Sequence, residues 1–445
     1  MKILEHAFIL TFGNDHQVIE DGAVAYDQNQ ILGVGNSDQV RQRFPNAERH
    51  SANGRVVTPG LINAHMHLYS TFARGITLKD PPPENFVQIL ERLWWRLDRA
   101  FFQEDLYFSA LVPLLDAVRG GVTTIIDHHS SPHALGGSLD TLKTAFHKCG
   151  LRGCLSYEIS DRDGASRRDA AIEENAACLR GLKLHDSRDI AALIGLHASF
   201  TLEDGTLLRV SELSKALKCG VHIHVAEDYA DLADARKRGF RSVVDRLHRF
   251  HLTGPDNIFA HCVHVDDVDI QTLAFTRTNV VHNPRSNMGN AVGCANIETM
   301  MREKVHVTLG TDGFSVNPLQ DLAVSNILHK HQSKDPRKIY SEIWRILSHN
   351  NPALATAVFK QPIGVIEEHA VPDFVIWDYR PPTPITSENT LGHLLFGISN
   401  SSVFSTICKG RTLYENRRFT FMDEEEELEI AKRSRELAKS LWERF

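Results

Sequence analysis

A chain of 445 residues, 42% hydrophobic and 24% charged, has the composition of an ordinary globular protein long enough for a large core. A net charge of -7 leaves no basic face to hold a phosphate backbone, which argues against a nucleic-acid partner and favours a small or neutral ligand. No apolar run approaches the roughly 18 residues of a membrane span. The opening Met1-Lys2-Ile3-Leu4-Glu5-His6 lacks a signal peptide's apolar stretch, and seven scattered cysteines without a Cys-x-x-Cys pattern read as reduced thiols. A cytoplasmic protein without a membrane partner is expected.

Residues 1–58 alternate apolar and polar positions, as in Ala23-Val24-Ala25-Tyr26 and Gln30-Ile31-Leu32-Gly33-Val34, between Asn, Asp and Gly turns. The same texture returns in Asp373-Phe374-Val375-Ile376-Trp377 and Ser405-Thr406-Ile407-Cys408. One β-sandwich domain built from both termini, 1–58 with 362–422, is therefore expected. Between them, in 59–361, eight short apolar strands are predicted at 60–67, 123–129, 152–159, 190–198, 221–227, 257–265, 279–287 and 305–313. Amphipathic stretches such as 103–119, 203–219 and 231–250 separate them. Eight β/α units make a closed parallel (β/α)8 TIM-type barrel of the α/β class. A doubly wound sheet would need a glycine-rich phosphate loop, and Gly33-Val34-Gly35 lacks its third glycine. Trp94 and Trp95 read as packing of a long loop after the first strand, and the acidic run from Asp423 as the start of a final charged helix, 423–445.

Nearly every predicted strand ends on a polar, reactive side chain: His67, His128 and His129, Glu158, His197, Glu227, His261, Asn283 and Asp312. In a (β/α)8 barrel these ends converge on one face, where active sites sit. His65 and His67, at i and i+2 on one strand, point the same way and can share an ion. With His224 and Asp312 they supply an imidazole and carboxylate set suited to one divalent cation, zinc foremost with iron as the alternative, with a position left open for water. Glu227, three residues beyond His224, sits where a proton shuttle would. His-Glu-x-x-His and Pro-Cys-x-x-Cys are both missing, which excludes a zincin protease and a cytidine-deaminase zinc motif.

These motifs resemble the amidohydrolase superfamily: Gly60-Leu61-Ile62-Asn63-Ala64-His65-Met66-His67, His224-Val225-Ala226-Glu227, Ala260-His261-Cys262-Val263-His264, His282-Asn283-Pro284-Arg285-Ser286-Asn287-Met288 and Leu309-Gly310-Thr311-Asp312-Gly313, in family order. The resemblance implies that His65, His67 and His224 bind the metal. It implies that Asp312 binds it and takes a proton from water, that His261 orients the attacking oxygen, and that Glu227 protonates a ring nitrogen. His197, where two-metal members carry a bridging lysine, is similar to the one-metal deaminase and chlorohydrolase branch, in which a histidine contacts the substrate ring. Leu68 to Gly75, Leu93 to Arg99 and Asp127 to Pro132 further resemble the aminohydrolase group labelled SsnA.

The expected reaction is hydrolytic deamination of a small aminated nitrogen heterocycle, purine, pyrimidine or related, with release of ammonia. Cleavage of another C–N or a C–Cl bond, or of a cyclic amide, would use the same machinery, and a non-catalytic assembly protein is the reading from another class. Ser70 stands where guanine deaminases carry a purine-reading glutamine, and Leu97 where adenosylhomocysteine-type deaminases carry a ribose-binding glutamate; both departures count against those substrates. Arg285 either faces the pocket, to pair with an anionic or carbonyl group, or holds its loop from outside. His129, like His128, either lines the pocket or bonds the loop. A homodimer or larger homo-oligomer is implied by the resemblance alone.

Overall fold

The computed structural model describes residues 1–185 and 188–445. Its centre is a (β/α)8 barrel whose strands are Leu61–Met66, Val122–Asp127, Arg152–Leu155, Ile190–Ala192 continued as Ile194–Ala198, Val221–Val225, Ile258–His261, Asn279–His282 and His306–Leu309. Each corresponds to one of the eight apolar runs. Their side chains are almost all buried, as expected of parallel strands covered on both faces, which is why they read as continuous apolar runs.

Hydrogen bonding runs around the barrel in two parallel arcs of four and five strands. They meet at the fourth strand, whose first half pairs with the third strand and whose second half pairs with the fifth. On the opposite side the first and eighth strands are joined by Thr311 and Asp312 N–H, both donating to His65 C=O at 3.0 Å. Backbone approaches backbone too closely for a side chain at both seams. A Cβ on Gly195 would lie 2.3 Å from Tyr157 O, and one on Gly310 would lie 2.7 Å from His65 O.

Helices wrap the barrel, including Gln103–Arg119 and Asp204–Leu217. The stretch expected to be one amphipathic segment at 231–250 is two helices, Tyr229–Lys237 and Val243–Arg249. Gly239, at φ +88°, ends the first, and Ser242 caps the second by accepting from Asp245 N–H at 3.0 Å.

Both termini enter one hydrogen-bonded sheet of nine strands, joined where Phe374–Trp377 runs antiparallel to Val56–Pro59. Val18–Tyr26 and Phe374–Trp377 are three places apart in the strand order, yet the Tyr26 and Phe374 rings meet edge to face at 5.2 Å. The sheet therefore curls over its own core, which makes it a sandwich folded from a single sheet. Arg152 at the foot of the third barrel strand donates to Asp373 at 2.6 Å, both side chains being buried, and pins the sandwich to the barrel.

The acidic run does begin a helix, Glu424–Arg444, with Asp423 accepting from Glu426 N–H. This helix packs Leu437 and Leu441 against Tyr69, Phe72, Leu97 and Phe101 of the long segment after the first strand. Trp442 Nε1 donates to Phe72 O at 2.7 Å. No helix among the described residues is long and apolar enough to cross a membrane.

Candidate active site and metal centre

At the carboxyl ends of the barrel strands, nitrogen and oxygen donors crowd around one point. Asp312 Oδ1 is 2.9 Å from His67 Nε2 and 3.4 Å from His65 Nε2, and His67 Nε2 is 3.1 Å from His224 Nε2. Ligands about 2.0–2.1 Å from a tetrahedral zinc ion would stand about 3.3 Å apart. The spacing fits a cation at the centre of these atoms. Chemistry points the same way, because His65 Nε2 is fully buried without a hydrogen-bond partner.

The remaining ring nitrogens are held from behind. His67 Nδ1 is 2.6 Å from His128 O, His224 Nδ1 is 2.8 Å from His197 O, and His65 Nδ1 is 2.9 Å from His222 Nε2. A donor N–H used in this way fixes the tautomer and leaves Nε2 as the lone pair that faces the centre. Two histidines are thus positioned by backbone carbonyls at the ends of neighbouring strands.

Charge is balanced by the same contacts. Burial works against a charged His67, but the Asp312 carboxylate beside it prevails and lifts the ring to about 9. Burial likewise opposes the Asp312 carboxylate, and the neighbouring His65 and His67 rings overcome it and hold its pKa well below the usual range. A group of anion and imidazoles that draws a positive charge this strongly suits a divalent ion. Asp312 is further fixed by a short hydrogen bond from Ser286 Oγ, and its backbone, like that of His261 and Ala226, is left-handed. Such non-glycine conformations cost energy and persist where the surrounding structure enforces them.

Glu227 and His261 face each other beside this centre, with His261 Nε2 3.5 Å from Glu227 Oε2. Burial first, and then the Asp312 carboxylate, push Glu227 well above the ordinary carboxylate range, which favours its protonated form. His261 is lowered to about 4 by burial and is neutral. Its Nδ1 lies 2.8 Å from Asn287 Nδ2, and an amide N–H donated there leaves the ring's own proton on Nε2, directed at the site. That tautomer makes His261 a hydrogen-bond donor beside the metal position.

The structure brings His65, His67, His224, Asp312, Glu227 and His261 together and puts His197 on the wall of the adjoining cavity. It separates the other two expected substrate contacts. Arg285 donates to Ser315 Oγ and Gln320 Oε1 and does not line the cavity, so the pocket role is corrected to that of a loop clamp. His129 is buried with Nε2 on Ser131 Oγ at 2.9 Å and also lies behind the wall. Ser70 donates to His67 O, and Leu97 is in the packed cluster under the loop.

Trp94 and Trp95, expected to be loop packing, both line the cavity. The helix carrying them widens to π pitch at Leu90–Trp94, a distortion that often accompanies functional sites. With Phe86, Leu90, Phe200 and Phe314 they give the cavity, which is partly open to solvent, apolar walls suited to a flat ring. Asp98, Glu158 and Arg162 also line it and were not among the expected site residues. Glu158 was visible as a strand-end carboxylate, whereas Asp98 comes from the short helix Trp95–Ala100 and Arg162 from a turn, with no spacing to betray them.

Comparison with known proteins agrees with this architecture. A 5-methylthioadenosine/S-adenosylhomocysteine deaminase of Pelotomaculum thermopropionicum is 27% identical over 95% of both chains. A 5'-deoxyadenosine deaminase of Methanosarcina mazei is 28% identical over 98% of this chain and 97% of that one. An adenosine deaminase from Xanthomonas campestris, solved with bound zinc, superposes with a TM-score of 0.86 at 22% identity, covering 99% and 98% of the two chains. Residues 56–413 match the Amidohydrolase family, and the chain belongs to that family.

Proposed function

We propose that this protein is a metal-dependent hydrolytic deaminase of an aminated purine-type heterocycle, most plainly an adenine nucleoside. The observation that carries the reading is the buried Glu227 carboxyl, 3.5 Å from His261 Nε2 at the edge of the histidine and aspartate cage, where burial favours its protonated form. A hydrolase that only cleaved an amide would need the cage; a carboxylic acid kept neutral beside it suits an aromatic ring nitrogen, which must gain a proton before its neighbouring carbon can be attacked.

His65, His67, His224 and Asp312 would hold one divalent ion, zinc by analogy with the Xanthomonas enzyme, and such an ion lowers the pKa of water toward neutrality. Glu227 donates its proton to the ring nitrogen. His261, through Nε2–H, orients the attacking oxygen. Asp312 accepts the proton that water gives up and returns it to the departing amine, which leaves as ammonia. The aromatic walls hold the ring flat and keep bulk water out.

With this reading go three further proposals: a terminal sandwich of 1–58 and 362–422 beside a catalytic unit of 59–361 with a bracing helix at 423–445, a homodimer or larger assembly, and a cytoplasmic location. The first and second are checked by limited proteolysis and by light scattering. The seven cysteines, all free in the structure, agree with the third, and fractionation of the cells tests it.

The decisive experiment is ammonia release by zinc-loaded protein from adenosine, 5'-deoxyadenosine, 5-methylthioadenosine, adenine, guanine and cytosine, with Glu227→Gln as control. Release from the adenine nucleosides that the control lacks is the expected result. Ring opening or chloride release without ammonia would replace the reading.

A further inference from the structure

Beside the metal cage lies a further histidine that the chemistry described above does not use. His128, directly after the second barrel strand, is fully buried, with its ring 4.7 Å from that of His224, 5.5 Å from that of His67 and 5.8 Å from that of His65. It stands next to all three histidine ligands.

Two of the three depend on it for their orientation. His67 Nδ1 donates to the His128 carbonyl at 2.6 Å. His65 Nδ1 lies 2.9 Å from His222 Nε2, and the carbonyl of His222 accepts from His128 Nε2 at 3.0 Å. The direction of these bonds follows from the cage. A lone pair on His65 Nε2 places the ring proton on Nδ1, so His222 accepts at Nε2 and donates from Nδ1 to Ser156 Oγ, 3.4 Å away. Ser156 Oγ passes the chain on to Asp127 O at 2.9 Å, where it ends on an acceptor.

His128 is itself fixed by one side chain. Glu158 Oε1 accepts from His128 Nδ1 at 3.0 Å, so both nitrogens of the ring face acceptors, and the carboxylate is the charged and therefore the stronger of the two. The main chain holds each member of the pair in place, with Glu158 N–H donating to His129 O and His128 N–H to Met66 O, both at 2.8 Å. Their side chains are 3% and 0% exposed. A pair so thoroughly dried is a poor way to stabilise a barrel, because the cost of removing both groups from water offsets their attraction. What it supplies is direction: a ring locked at both nitrogens cannot turn, and its carbonyl and its neighbour His222 stay aimed at the ligands.

We infer that Glu158 and His128 are positioning residues for the metal cage: the carboxylate fixes the His128 ring, and His128 fixes His67 through its carbonyl and His65 through His222. Glu158 also lines the substrate cavity, so one carboxylate belongs both to the cavity wall and to the support of the cage. The inference rests on the metal reading of the cage and not on the identity of the reaction.

The test challenges zinc-loaded protein with a graded chelator and reads the metal retained by elemental analysis, while cobalt-loaded protein reports the geometry of the site through its visible absorption. In Glu158→Gln and in His128→Gln the metal should be held about 10–100-fold less tightly, the usual effect of removing a partner behind a metal-bound histidine, and the cobalt bands should shift. The double variant should lose no more than the weaker-binding single one, because Glu158 acts through His128. Glu158→Gln and Glu158→Met both keep the length of the side chain, and they decide the question by themselves if His128→Gln does not fold. A pair that only holds strands together would lower the melting temperature and leave the chelator midpoint and the cobalt bands where they were. The inference is overturned by that result, or by losses that add in the double variant. Metal held by the unsubstituted protein and equally well by the variants removes the inference alone, whereas an unsubstituted protein that holds no metal removes the cage and the inference together. Ammonia release is no part of the readout, so the deaminase reading stands or falls separately.

Discussion

The two ends of one cavity are built on opposite principles. At the metal end, the donors stand on strand ends and each histidine ligand is held from behind by a backbone carbonyl or by His222. At the far end, Trp95, Asp98 and Arg162 stand on helix and loop segments and retain unpaired polar atoms. Strand ends in a barrel are rigid and common to every reaction it supports, while the loops above them vary. The comparison sets a rigid, fully braced end of the cavity against one built from segments that are free to vary.

The strongest way to break that division is at the cage. His224→Ala should lose the metal, read by elemental analysis, and reduce ammonia release to background; full activity in metal-free protein would mean that the strand ends do not carry the chemistry. Glu227→Gln should keep the metal and lower kcat by about 10²–10⁴-fold, the usual contribution of a positioned acid. The sign of its pH dependence follows from the raised pKa. Glu227 is active as the acid, so in the unsubstituted enzyme kcat falls as pH rises through that elevated value. A profile that instead falls on the acidic side would reverse its role.

The other end should answer more gently. Trp442→Ala removes the hydrogen bond to Phe72 O and part of the packing that braces the segment bearing Trp94 and Trp95. KM should rise several-fold with kcat and metal content nearly unchanged, because the strands below are untouched; equal losses in kcat would show that the loop also serves the chemistry. Arg285→Ala should change kcat/KM by less than about twofold, since its partners Ser315 and Gln320 lie outside the cavity.

Legibility in the sequence follows the same division. His65, His67, His224 and Asp312 could be read because a barrel strand is a short apolar run whose last residue declares itself, and the i, i+2 spacing fixes a common face. Arg285 could not, because its direction depends on Ser315 and Gln320 some 30 residues later. Asp98 and Arg162 become one feature only when segments 64 residues apart meet. Trp94 and Trp95 looked like packing because the π turn that places both on the cavity leaves no mark on hydrophobic periodicity. The terminal sandwich was visible as alternating strands, while its closure from a single curled sheet rests on the long-range pairing of Val56–Pro59 with Phe374–Trp377.

The hydrogen bond from Trp442 to Phe72 closes a loop of 370 residues. Contacts of such sequence separation form late, because the entropy of loop closure must be met before they reward the chain. The cage needs only the barrel, whose first and eighth strands are joined by Asp312 N–H donating to His65 O, and not the final helix. During refolding, then, the ability to capture a metal should be regained before the ability to tell one substrate from another, and the two recoveries should be separable in time.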